Sequence, residues 1–139
     1  MTLAKLALVP LVPLVMLIAA CGNGAETADT TADSCTSFFQ NQTTLVREAT
    51  AGMGGSTRAE WDTRVSAIVM AIETAGRNST NRDVKKRVTA VAATVPADAL
   101  DLAVSRSAAE QFNAASVAAA RACHAAGVEG TIAEFPAVP

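Results

Sequence analysis

Apolar residues recur at helical spacing in four stretches of the chain. In the first, expected over about 34–50, Phe38, Leu45, Val46 and Ala49 fall on one face with Phe39 beside it. Gln42 interrupts that stripe, and the run Ala51-Gly52-Met53-Gly54-Gly55 stops the helix. The second opens on Thr57-Arg58-Ala59-Glu60, the order of a capping box in which hydroxyl and carboxylate satisfy free amides reciprocally. Trp61, Val65, Ile68, Val69 and Ile72 follow, and Gly76 and Asn78 end it. The third begins near Ser79 or Thr80, carries Val84, Val88, Val91, Ala92 and Val95, and stops before Pro96. The fourth is the longest, over about 97–126, with Leu100, Val104, Ala108, Phe112, Ala115, Ala119 and Cys123 in one stripe. Gly127 caps it, and the final VEGTIAEFPAVP is expected to trail over the surface.

Four amphipathic helices with short connectors predict an all-α domain, an antiparallel up-down-up-down four-helix bundle. Composition agrees. Half of the 139 residues are apolar (50%), yet there are only four Phe, one Trp and no Tyr. Such a core rests on Ala, Val, Leu and Ile, with alanine the best helix former.

Residues 1–20 differ in kind from the body. Lys5 precedes an apolar run from Leu6 to Ile18, and small residues end it, which is the layout of a secretory signal peptide. The run is too short for a permanent span and is interrupted by Pro10 and Pro13. Ile18-Ala19-Ala20-Cys21 resembles the bacterial lipobox, an aliphatic residue and two small ones before a cysteine that receives diacylglycerol. The resemblance implies cleavage before Cys21 and a lipid anchor on its sulfur. Residues 22–34 lack large apolar side chains and read as a flexible tether. The expected organisation is therefore signal peptide 1–20, lipidated cysteine and tether 21–34, and helical domain 35–139.

With Cys21 assigned to lipid, Cys35 and Cys123 remain, an even pair in an exported and hence oxidising setting. Two free thiols or a metal pair are the alternatives, but there is no CxxC and a single histidine, His124. An even number of antiparallel helices brings the start of the first and the end of the last to one end of a bundle. Those are the positions of the two cysteines, so a Cys35–Cys123 disulfide and a four-helix count support each other.

The chain is poor in catalytic patterns. No HExxH, GxSxG or Cys/His cluster is present, and the glycine run at 52–55 lacks the GK[ST] that follows a phosphate loop. His124 reads as a capping or exposed residue. Asp98 and Asp101, like Glu60 and Asp62, sit at helix starts where carboxylates favour the macrodipole. Trp61 heads an apolar stripe and reads as core rather than as a stacking platform. No metal, cofactor or catalytic residue is expected, and the chain reads as a non-enzyme. A net charge of −2 argues against nucleic acid. Charge is nevertheless uneven. Arg77, Arg82, Lys85, Lys86 and Arg87 crowd the turn between the second and third helices, with only Asp83 against them. Topology places that turn at the tether's end of the bundle, so these five are candidate contacts with a membrane surface. Solvation of exposed faces, or pairing with Glu26, Asp29 and Asp33, are the competing uses.

In layout the chain resembles small alanine-rich lipoproteins of actinobacteria, which combine a lipobox, an acidic Thr/Ala/Asp tether and a helical body with cysteines near its ends. The resemblance implies a palmitate-bearing lipoprotein on the extracytoplasmic face of the cell membrane, and it carries no catalytic residue across. The expected function is a non-enzymatic interaction or structural role in the cell envelope, with an envelope protein as partner. The alternative is a binding protein holding a small apolar ligand or lipid between its helices.

Overall fold

Five helices wrap one apolar core: α1 (Thr31–Ala51), α2 (Arg58–Asn78), α3 (Arg82–Ala93), α4 (Asp101–Val104) and α5 (Arg106–Ala125). They are seen in a computed structural model that describes residues 28–136. The expected signal peptide 1–20, Cys21 and residues 22–27 of the expected tether lie outside the described residues. The described residues contain helices, turns and irregular chain and no strand, so the protein is an all-α helical bundle.

Local chemistry sets the helix ends. α1 starts at Thr31, earlier than the spacing of its apolar residues suggests, and takes Thr31–Ser34 out of the expected tether. The Asp29 carboxylate accepts from the Thr31 amide (2.9 Å), and Asp33 lies in the first turn. Gly52 ends α1 at φ 66°, a left-handed conformation that costs glycine little. α2 opens with the expected capping box: the Thr57 hydroxyl accepts from the Glu60 amide, and the Glu60 carboxylate accepts from the Thr57 amide (2.9 Å). α3 begins at Arg82, where Asn81 Oδ1 accepts from the amides of Asp83 and Val84.

The single fourth helix expected over 97–126 is two helices. The chain is extended at Ser105 (φ −101°, ψ 113°), whose hydroxyl caps α5 by accepting from the Ala108 amide. The break has a packing reason. It puts Leu102 fully into the core and turns Val104 outward, where it is 69% exposed. A continuous helix keeps Val104 on the buried stripe and Leu102 off it.

Phe38, Leu45, Trp61, Ile72, Val84, Val88, Val91, Leu102 and Phe112 are fully buried and make the centre of the core. The Cys35–Cys123 disulfide (Cα–Cα 5.7 Å) joins the start of α1 to the end of α5. Two turns along α1 and two turns back along α5, Gln42 donates to Ser116 Oγ (3.4 Å). These two cross-links fix α1 and α5 as opposite in direction. α1 and α2 are also opposed: Thr30 bonds the carbonyl of Asn78 at one end, and Glu48 pairs with Arg64 (3.6 Å) at the other.

The C-terminal segment does not trail over the surface. It crosses between α1 and α5, and Phe135 is buried (3% exposed) edge-on to Phe112, with ring centroids 5.5 Å apart. Gln42 bonds both backbone groups of Ala133: Nε2 donates to the carbonyl (2.6 Å) and Oε1 accepts from the amide (3.0 Å). Asn113 does the same for Phe135, at 3.0 Å each way. Upstream, Gly130 lies flat against the Phe39 ring, where a Cβ would come within 2.1 Å of ring carbons.

Candidate functional site

The chain just before α1, the end of the expected tether, is tied to the turn between α2 and α3. Thr80 is the knot. Its hydroxyl donates to Asp29 Oδ1 (2.6 Å), accepts from the Thr30 amide (3.3 Å) and lies 3.1 Å from Thr31 Oγ1. Thr30 Oγ1 donates to the carbonyl of Asn78, and the Asn81 amide donates to Thr31 Oγ1 (3.2 Å). The hydroxyl of Thr80 and the amide and hydroxyl of Thr31 hold the Asp29 carboxyl down at about 2, with Thr80 the largest influence. The sign follows. A carboxyl with a depressed folded value stabilises the clasp above its ordinary value, and that stabilisation fades as pH falls toward about 2. A carboxyl-detected NMR titration is expected to place the Asp29 midpoint near 2, and Thr80→Val to move it back toward the ordinary range.

Sequence reasoning missed this clasp. Asp29-Thr30-Thr31 read as tether, Asn78 as the end of the second helix, and Ser79 or Thr80 as the start of the third. Asp29 was a candidate partner for the basic cluster, but its carboxylate bonds Thr80 and Thr31. The available signal was an Asx residue just before a helix start, where it can serve a free amide.

The five basic residues flank this turn, and the structure sorts them. Arg77 sits in the last turn of α2, where a cation suits the dipole, and pairs with Glu73. Arg87 lies 3.5 Å from Asp83. Arg82, Lys85 and Lys86 are exposed and have no carboxylate within 4.0 Å among the described residues. Positions 82, 85 and 86 fall within about 100° of arc at 100° per residue; Arg82 and Lys86 point away from the buried Val84, Val88 and Val91, and Lys85 borders that face, about 60° from Val88.

The other candidates have structural duties. Trp61 is 1% exposed and belongs to the core; its indole N–H has no acceptor among the described residues. Asp98 accepts from the Leu100 amide (3.0 Å) and pairs with Arg58 (3.1 Å); amide first and guanidinium second, these lower its pKa. Glu60 is lowered by the amide and hydroxyl of Thr57. His124 is exposed, stacks on Phe39, and meets the Gly130 carbonyl through a ring nitrogen at 2.9 Å. The 52–55 run makes a turn, with Gly52 and Gly54 at positive φ. A groove of about 460 Å³ runs between α2 and the chain after α3, with the polar Asp62 and Ser66 in its lining beside Trp61, Val65, Val69 and Met70. Among the described residues no group of three or more His, Cys, Asp or Glu is placed to hold a metal ion, and no helix is long and apolar enough to cross a membrane.

No family model, curated protein or solved structure matches the chain.

Proposed function

We propose that the protein is a cell-envelope lipoprotein, held to the extracytoplasmic face of the membrane through lipid on Cys21, with a non-enzymatic interaction or structural role. The observation that carries this reading is the Cys35–Cys123 disulfide. A protein disulfide persists in an oxidising compartment, and this one leaves Cys21, at the lipobox, as the remaining cysteine of the chain. Two or three acyl chains there anchor far more firmly than one. The expected result in cells fed labelled palmitate is that the wild-type chain carries the label and Cys21→Ser does not. Equal labelling of both chains rules the anchor out.

A second reading is favoured by the groove beside Trp61: the bundle holds a small apolar ligand or lipid. Native mass spectrometry of protein extracted from its own membrane tests it. The expected result on this reading is a stoichiometric adduct that Val69→Glu abolishes; its absence leaves the first reading alone.

A further inference from the structure

We propose that the outer arc of α3, formed by Arg82, Lys85 and Lys86, rests on an anionic lipid surface and orients the bundle with its α2–α3 turn toward the membrane. The inference builds on the lipid anchor at Cys21 and specifies how the anchored body lies.

Three features of the molecule converge on it. The first is reach. The clasp of Asp29, Thr30 and Thr31 on Thr80 and Asn78 makes the α2–α3 turn the place where the tether leaves the body. At most about 28 Å of extended chain separates Asp29 from Cys21. With lipid on Cys21 the encounter between arc and bilayer is intramolecular, so a weak surface affinity suffices.

The second is charge placement. Arg77 and Arg87 are engaged by Glu73 and Asp83 on their own helices, whereas Arg82, Lys85 and Lys86 are exposed and share one side of α3. The nearby carboxylates are otherwise directed. Asp29 is bonded to Thr80, and Asp33 lines the groove between α1 and α2. The third is that helix stability does not explain these cations. Arg82 is the first residue of α3 and Lys85 closes its first turn, yet positive charge near a helix N-terminus opposes the macrodipole. The positions are unfavourable for α3 itself and suited to an external anionic surface.

Each Lys or Arg held near an anionic leaflet strengthens binding about fivefold, so three are expected to contribute about 100-fold together. The attraction decays over a Debye length, about 8 Å at physiological salt.

The test removes the acyl chains. The core and the disulfide lie wholly within residues 28–136, so a chain beginning at residue 21 with Cys21→Ser keeps the whole folded body. Its cosedimentation is measured with vesicles of phosphatidylcholine and with vesicles of equal parts phosphatidylcholine and phosphatidylglycerol. The expected result is binding to the anionic vesicles alone, weakened by salt. R82Q/K85Q/K86Q is expected to reduce the partition coefficient about 100-fold with helix content retained and melting temperature not lowered. R47Q/R106Q removes two exposed cations from the other end of the bundle and is expected to leave binding as it was. Equal binding to both vesicle types, no binding at low salt, or equal losses in the two variants overturns the proposal. A face that serves an acidic protein instead gives the no-binding result. Because these vesicles meet no acylated protein, failure here is distinct from failure of the anchor, which palmitate labelling of Cys21 reads.

Discussion

Replacing Cys35 and Cys123 together by alanine is expected to lower the free energy of unfolding by about 4.5 kcal/mol. The bond spans 88 positions of sequence, so it closes almost the whole folded body into a loop. Its loss frees the unfolded chain far more than it disturbs any local contact, and the entropy of a loop that size gives the figure. For a body of this size the melting temperature is expected to fall by about 20 °C. Both cysteines are fully buried, which yields a second expectation. Reductant alone acts slowly on the native protein and quickly once denaturant opens it. Equilibrium urea unfolding of the two chains checks the first, and thiol counting against time the second. A stability loss under about 1 kcal/mol would show that the unfolded chain is already restrained, and the loop account would fail.

What was legible in the sequence divides by the range of the interactions that decide each element. α2 was readable almost residue by residue because its determinants are local. Thr57 and Glu60 cap each other within one turn, and Trp61, Val65 and Ile72 share a face whatever they pack against. The valine stripe of α3 and the Cys35–Cys123 pair were equally open to view, since spacing and parity alone define them. The break at Ser105 was not. Leu100, Val104 and Ala108 continue an unbroken helical period, and the deciding fact is tertiary: Leu102 fills the core better than Val104 does. Ser105 is itself a good N-cap, but serines recur through this stretch and nothing local marks that one. Two further misreadings share a cause. The start of α1 looked like tether because Thr31, Ala32 and Asp33 offer no apolar stripe; Asp29 and Thr80 fix it, one of them in a distant turn. The C-terminal segment looked like surface chain because Gly127 caps the helix before it and Gly130 and Pro136 punctuate it, although Val128, Ile132 and Phe135 stand at i, i+4 and i+7. The candidate site shows the same division. The five basic residues were visible as a cluster, but which of them already have carboxylate partners was not, because that depends on rotamers and on the turn between α2 and α3.

Gln42 is the sharpest instance, and it carries the second large effect. In the sequence it is a flaw in the apolar stripe of α1. In the fold it is fully buried and holds both backbone groups of Ala133, 91 positions away. Asn113 holds Phe135 in the same two-bond manner from α5. Two side-chain amides thus grip alternate residues of an extended segment, serving the donors and acceptors that a neighbouring strand would serve in a sheet. Gln42→Leu keeps a long apolar stem but leaves the amide and carbonyl of Ala133 without partners. Two orphaned backbone groups, half-buried, are expected to cost about 3 kcal/mol. Gln42→Ala is expected to cost more, because it adds a cavity beside Ser116 and Ala133. The loss is local before it is global. Glu134 lies between the two gripped residues and its side chain is exposed, so a glutamyl endopeptidase reports the grip directly. Wild-type protein is expected to resist cleavage after Glu134 under native conditions. Gln42→Leu is expected to be cut there while its helix content remains intact. Were that variant as stable and as resistant as wild type, the burial of Phe135 alone would hold the segment, and Gln42 would be no more than a tolerated polar residue in the core.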